Sequence, residues 1–111
     1  MNVEELYHCT PAVNTKAILE EGLCPQFGWY GPEHNKEWII FPISLSIGYP
    51  RTEFVGSITE AEAIAVFRVA WRRLTVKVDF DGPGSVACEH WIEPSELRLV
   101  ETVRMPEGGW R

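Results

Sequence analysis

The sequence predicts an α+β domain: a strongly bent or split, mostly antiparallel sheet with one main helix after the first strand. Three observations point there. A strand–turn–helix signature occupies residues 6–23, a cleanly alternating stretch covers 39–47, and short apolar runs separated by breakers follow to residue 103.

In chain order, Leu6-Tyr7-His8-Cys9 reads as a short strand ending at Thr10. Thr10 suits a helix N-cap, and Pro11 at the first helical position sacrifices no hydrogen bond. Ala12, Thr15, Ile18 and Leu19 then fall on one side at helical spacing, with Lys16 and Glu20 four apart on the other. Gly22 supplies the stop, and Leu23 is the apolar residue expected to fold back after it. Residues 25–37 read as a long loop carrying Phe27, Trp29, Tyr30 and His34. From Ile39 to Ile47, Phe41, Ile43, Leu45 and Ile47 share one face and Pro42, Ser44 and Ser46 the other, with Pro42 marking an edge or bulge. Gly48-Tyr49-Pro50-Arg51 breaks that strand.

Residues 59–71 admit two readings. Thr59 and Glu62 resemble a capping box, and Ala63, Phe67, Ala70 and Leu74 fit a helical stripe. The nearly continuous apolar run Ala63–Val69, rich in strand formers, favours a buried strand. Thr75 to Phe80 reads as extended, Asp81-Gly82-Pro83-Gly84 as a turn, and Val86 to Ile92 and Leu97 to Val103 as closing strands. Residues 1–105 make one domain, with 106–111 as a loose tail.

Composition narrows the class. The 111 residues are 45% hydrophobic and 23% charged, the balance of a globular domain with its own core. No apolar run approaches the roughly 20 residues of a membrane helix, so no membrane partner is expected. Cys9, Cys24 and Cys88 are odd in number without CxxC spacing, and His8, His34 and His90 form no HxH or HxxxH set. No disulfide framework or metal site is therefore expected; the thiols read as buried and free. With an acidic start that lacks the order of a secretion signal, this implies a reducing, cytoplasmic location. The net charge of −6 argues against broad nonspecific affinity for nucleic acid. It is uneven: Arg68, Arg72, Arg73 and Lys77 cluster, as a site for a phosphate-bearing ligand or as a solvated face.

Leu6-Tyr7-His8-Cys9-Thr10, Asn14 and Ile18-Leu19-Glu20-Glu21-Gly22-Leu23 together resemble the opening of the NAD-dependent ADP-ribosyltransferases and the related RNA 2′-phosphotransferases. The likeness is close over about 18 residues and holds in outline beyond them. It implies an ADP-ribosyltransferase-like split sheet and NAD as substrate. His8 and Thr10, two apart on a strand, would face one way and hold ribose hydroxyls and the carboxamide. Their plainer roles are a half-buried histidine and an ordinary cap. Tyr49 would stack on the nicotinamide with Ser44 or Ser46 at the pocket wall, or these are a turn tyrosine and a polar outer face. Trp29 and Tyr30 are alternative covers for the dinucleotide. Glu89 would be the catalytic acid that stabilises an oxocarbenium-like transition state, with His90 a secondary candidate. A strand glutamate paired with Arg68 or Arg98 is the structural alternative.

The function so implied is transfer of ADP-ribose from NAD to a macromolecular acceptor. A non-catalytic acidic binding or inhibitor module on the same fold is a second reading, and NAD-dependent RNA 2′-phosphate transfer a third.

Overall fold

The computed structural model describes residues 6–30, 37–41, 43–70, 76–78, 85–88 and 90–110, with backbone alone for 26–30, 37–41, 76–78 and 85–87. Eight strands and two helices are seen among them: β1 (Leu6–Pro11), α1 (Thr15–Glu21), β2 (Gln26–Tyr30), β3 (Glu37–Phe41), β4 (Ile43–Ile47), α2 (Thr52–Thr59), β5 (Ala63–Val69), β6 (Val76–Val78), β7 (Ser85–Cys88) and β8 (Leu97–Arg104). Six strands form an antiparallel sheet in the order β6-β7-β4-β1-β5-β8, and β2 and β3 pair separately as a hairpin. The α+β class and the antiparallel sheet stand as the sequence predicts them.

The sheet is buried on both faces at its centre, and β5 shows why. Ile64, Ala65, Val66 and Phe67 are all fully buried. Ala65, Phe67 and Val69 join Leu6, Ile43, Leu45, Cys88 and Leu97 with Ile18 of α1 in the main core. Ile64 and Val66 face the other way, where α2 packs across β1 and β5. The buried-strand reading of 63–69 therefore holds.

Several expectations need correction. The single main helix is instead two short helices, of seven and eight residues. Thr10 is not a helix cap: β1 continues through Pro11, a 3-10 turn covers Ala12–Asn14, and α1 begins at Thr15. Pro11 (φ −52°, ψ 136°) ends the strand rather than opening the helix. Thr59 caps nothing at an N-terminus, because it lies at the end of α2 and its hydroxyl donates back to the Val55 carbonyl. Leu19, placed on the apolar side, is exposed, while Ile18 carries the burial. The stretch taken as a long loop contains β2 and part of β3, and the alternation from Ile39 is split between β3 and β4. The strand expected from Val86 to Ile92 ends at Cys88, so His90 sits in an exposed bend. The thiols are free but not uniformly buried: Cys88 is buried, Cys9 half-buried and Cys24 exposed. The tail is not loose up to Trp110, which is 6% exposed and seated on α2. Pro42, His34, Arg72, Arg73 and Glu89 lie outside the described residues.

Two junctions set the frame for the site. Gly22 ends α1 with φ 82° and ψ −165°, a region open essentially to glycine alone. A side chain there would also collide with the Ile92 carbonyl. That closeness lets Leu23 and Ile92 exchange both backbone hydrogen bonds, 2.9 and 2.8 Å long, while the Trp91 indole donates to the Glu21 carbonyl. At the second junction, β1 pairs with β4 at only two positions, Leu6 with Ile47 and Tyr7 with Ser46. From there β1 follows β5 as far as Pro11, while β4 follows β7 back to Ile43.

Candidate functional site

The place where the β1–β4 ladder stops is also where four of the six predicted site residues meet. A cleft of about 550 Å³ opens there, lined by His8, Ser44, Ser46 and Tyr49 together with Tyr7, Cys9, Arg51, Phe54 and Val55. That volume suits a small organic ligand. β1 contributes His8, β4 contributes both serines, and the turn made by Gly48 (φ 79°) carries Tyr49. Arg51, just before α2, and Phe54 and Val55 in its first turn complete the lining.

His8 is the best-defined group. Its Nδ1 lies 3.0 Å from the Ser44 carbonyl oxygen, where a further strand-to-strand bond would otherwise fall. A carbonyl only accepts, so Nδ1 carries the proton. Burial lowers the imidazole below its ordinary value of 6.5, and the bond to Ser44 opposes that shift more weakly. At neutral pH the ring is therefore uncharged, with Nε2 an acceptor for a hydroxyl or amide donor.

Below pH 6.5 the unfolded chain binds a proton at this ring more readily than the folded one. The contribution of His8 to stability is thus complete above 6.5 and declines as the pH falls toward the lower folded value. Denaturation of wild type and His8→Ala between about pH 5 and 8 checks this. The wild type is expected to lose stability relative to the variant on acidification; parallel curves would remove the assigned environment.

Tyr49 is 51% exposed, and its ring lies 5.5 Å from that of Tyr7, tilted by 59°. It offers a partly open aromatic face on which a planar ring can pack. Ser44 is exposed and Ser46 half-buried. Cys9 shares the cleft, but burial pushes its thiol up to about 11. It is protonated at neutral pH and unsuited to act as a nucleophile.

Thr10 is not brought to this cleft. It is 8% exposed, accepts a hydrogen bond from Asn14 Nδ2 at 3.0 Å, and lines a second hollow of about 370 Å³ with Asn14, Glu21, Gly22 and Cys24. His8 lines both hollows, so the ring forms a boundary between them. Glu89 lies outside the described residues. Of its neighbours in sequence, Cys88 is in the core and Ile92 is held by Leu23. Among the described residues no His, Cys, Asp and Glu cluster able to hold a metal ion occurs. No helix there is long and apolar enough to cross a membrane.

Sequence reasoning missed Tyr7, Arg51, Phe54 and Val55. Tyr7 is paired with Ser46 and so shares the face of Ser44 and Ser46, whereas His8, next to it on β1, belongs by strand parity to the other face. The other three depend on α2, which carries no strong helical signature. No family model, curated protein or solved structure matches the chain.

Proposed function

We propose that the protein is an ADP-ribosyltransferase-like enzyme that binds NAD in the His8 cleft and transfers ADP-ribose to a macromolecular acceptor. The observation that carries this is the His8 ring, held by Ser44 through Nδ1 and lining one cleft with Ser46 and Tyr49. A neutral imidazole that accepts through Nε2 suits ribose hydroxyls, and the Tyr49 ring suits a planar nicotinamide. In the reaction, the bond between nicotinamide and ribose C1′ breaks and nicotinamide leaves with the electron pair. The ribosyl cation is then captured by the acceptor's nucleophile, which loses a proton. Walls that exclude water favour that acceptor over hydrolysis. Glu89 is the residue we assign to the developing positive charge, on the resemblance described above.

The first test is binding. His8→Ala is expected to weaken NAD affinity about two- to tenfold, the worth of one neutral hydrogen bond. Calorimetric titration of wild type and variant, each checked for folding, measures it. Equal affinities would discard the role of His8, and absence of NAD binding by the wild type would discard the reading. NAD binding without nicotinamide release would leave the non-catalytic binding module as the function.

A further inference from the structure

The two faces of α2 are unlike. Gly56 on the inner face lies against the Trp110 indole, with Thr52 and Val55 half-buried. On the outer face Phe54 and Ile58, four residues apart and therefore neighbours along the helix, are 61% and 64% exposed. Ile47 and Tyr49, also exposed, line the cleft together with Phe54, so this apolar surface is continuous rather than scattered. Continuous exposed apolar surface marks a place where another molecule sits.

Charge says which molecule. Arg51, two helical turns before Ile58 and so on the same stripe, precedes the first turn. Glu60 and Glu62, both exposed, follow the last turn, which holds no basic residue. A cation at the start of a helix and acids at its end each oppose the helix dipole. A second copy of the helix running the other way reverses that: its acidic end meets Arg51, and its own arginine meets Glu60 and Glu62. Arg51 does approach Glu53 of its own helix, at 3.6 Å through Nε, but an exposed pair of this kind is worth little. The terminal guanidinium nitrogens carry four further donors.

We infer that the outer face of α2 is a self-docking surface. Two copies pack these helices antiparallel across a two-fold axis, Phe54 of each against Ile58 of the other, and Arg51 of each beside Glu60 and Glu62 of the other. Such an interface is self-complementary, as closed two-fold symmetry requires. Arg51 and Phe54 also line the cleft, so the second copy stands at its mouth. None of this depends on what the cleft binds.

Sedimentation equilibrium of the whole chain, carried to about 1 mM so that even a weak association is populated, reads the dimer. Wild type is expected to dimerise reversibly. Ile58→Ser is expected to weaken the dimer about tenfold or more, because symmetry removes the contact twice. Arg51→Glu sets like charges together at both ends, and so does Glu60→Lys combined with Glu62→Lys. Each of these two proteins alone is expected to be monomeric where wild type is dimeric. Mixed in equal amounts they are expected to form a mixed dimer, since both ends again join opposite charges. All four substituted positions are exposed, and melting curves verify that each variant folds. A wild type that stays monomeric throughout overturns the inference. So does a dimer that none of these substitutions weakens, or a mixture that stays monomeric.

Discussion

Trp110→Ala is expected to lower the unfolding free energy by about 3–5 kcal/mol, the usual range for truncating a buried tryptophan. The indole is 6% exposed and its N–H donates to the Ala61 carbonyl at 2.7 Å. Its ring lies over Gly56, at the middle of α2, so closely that an added Cβ would collide with the ring. The glycine weakens the helix by roughly 1 kcal/mol relative to alanine, and the close approach of the indole offsets that. Removing the ring leaves a void beneath α2, exposes the glycine backbone and frees the Ala61 carbonyl. α2 supplies Phe54 and Val55 to the cleft, so NAD affinity should fall alongside stability. Urea denaturation measures the first effect and titration the second. A stability change below about 1 kcal/mol would show that the segment from Pro106 onward is only laid against the domain.

Glu89→Gln carries the largest expected effect on activity, a loss of about 10²–10³ in turnover. The substitution keeps the shape and most hydrogen-bonding capacity of the side chain while removing its charge. If the carboxylate stabilises a cation that develops as nicotinamide leaves, ground-state affinity for NAD should scarcely change, because that charge is absent until the transition state. A glutamate paired with Arg68 or Arg98 predicts the reverse: normal turnover with a lower melting temperature. Nicotinamide release by both proteins, read beside their melting curves, separates the two. Equal turnover with lowered stability assigns the residue to the scaffold.

The legible parts of the fold were those where local chemistry and tertiary position agree. Gly22 marked the end of α1 because its backbone conformation admits almost no other residue. The alternation of Ile43, Ser44, Leu45 and Ser46 declared a strand with one buried face. β5 was ambiguous for a physical reason: a strand covered on both sides loses its two-residue period and looks like any apolar run. α2 was illegible because Thr52, Val55, Ile58 and Thr59 are β-branched, Gly56 is interior, and Phe54 and Ile58 are exposed. Its packing against a tryptophan far along the chain supplies what its composition lacks. Thr10-Pro11 misled because a hydroxyl before proline serves equally at a helix start and at a strand end. For the site, strand parity grouped Ser44 with Ser46, and His8 with Thr10, which line the second hollow together. It gave no sign that the His8 ring would also reach the cleft of the serines, because that depends on where β1 and β4 part.

The order of the strands has a consequence for how the chain assembles. β1 is made early yet lies near the middle of the sheet, between β4 and β5. None of its ladder partners occurs before Ser46, and the longer ladder requires Ile64 to Val69. Its neighbour β5 is completed only by β8, and α2 is covered only when Trp110 arrives. Contacts so distant in sequence must close large loops before they return any stabilisation, which slows folding. During synthesis, the apolar side chains of β1 therefore emerge long before the strands that will cover them.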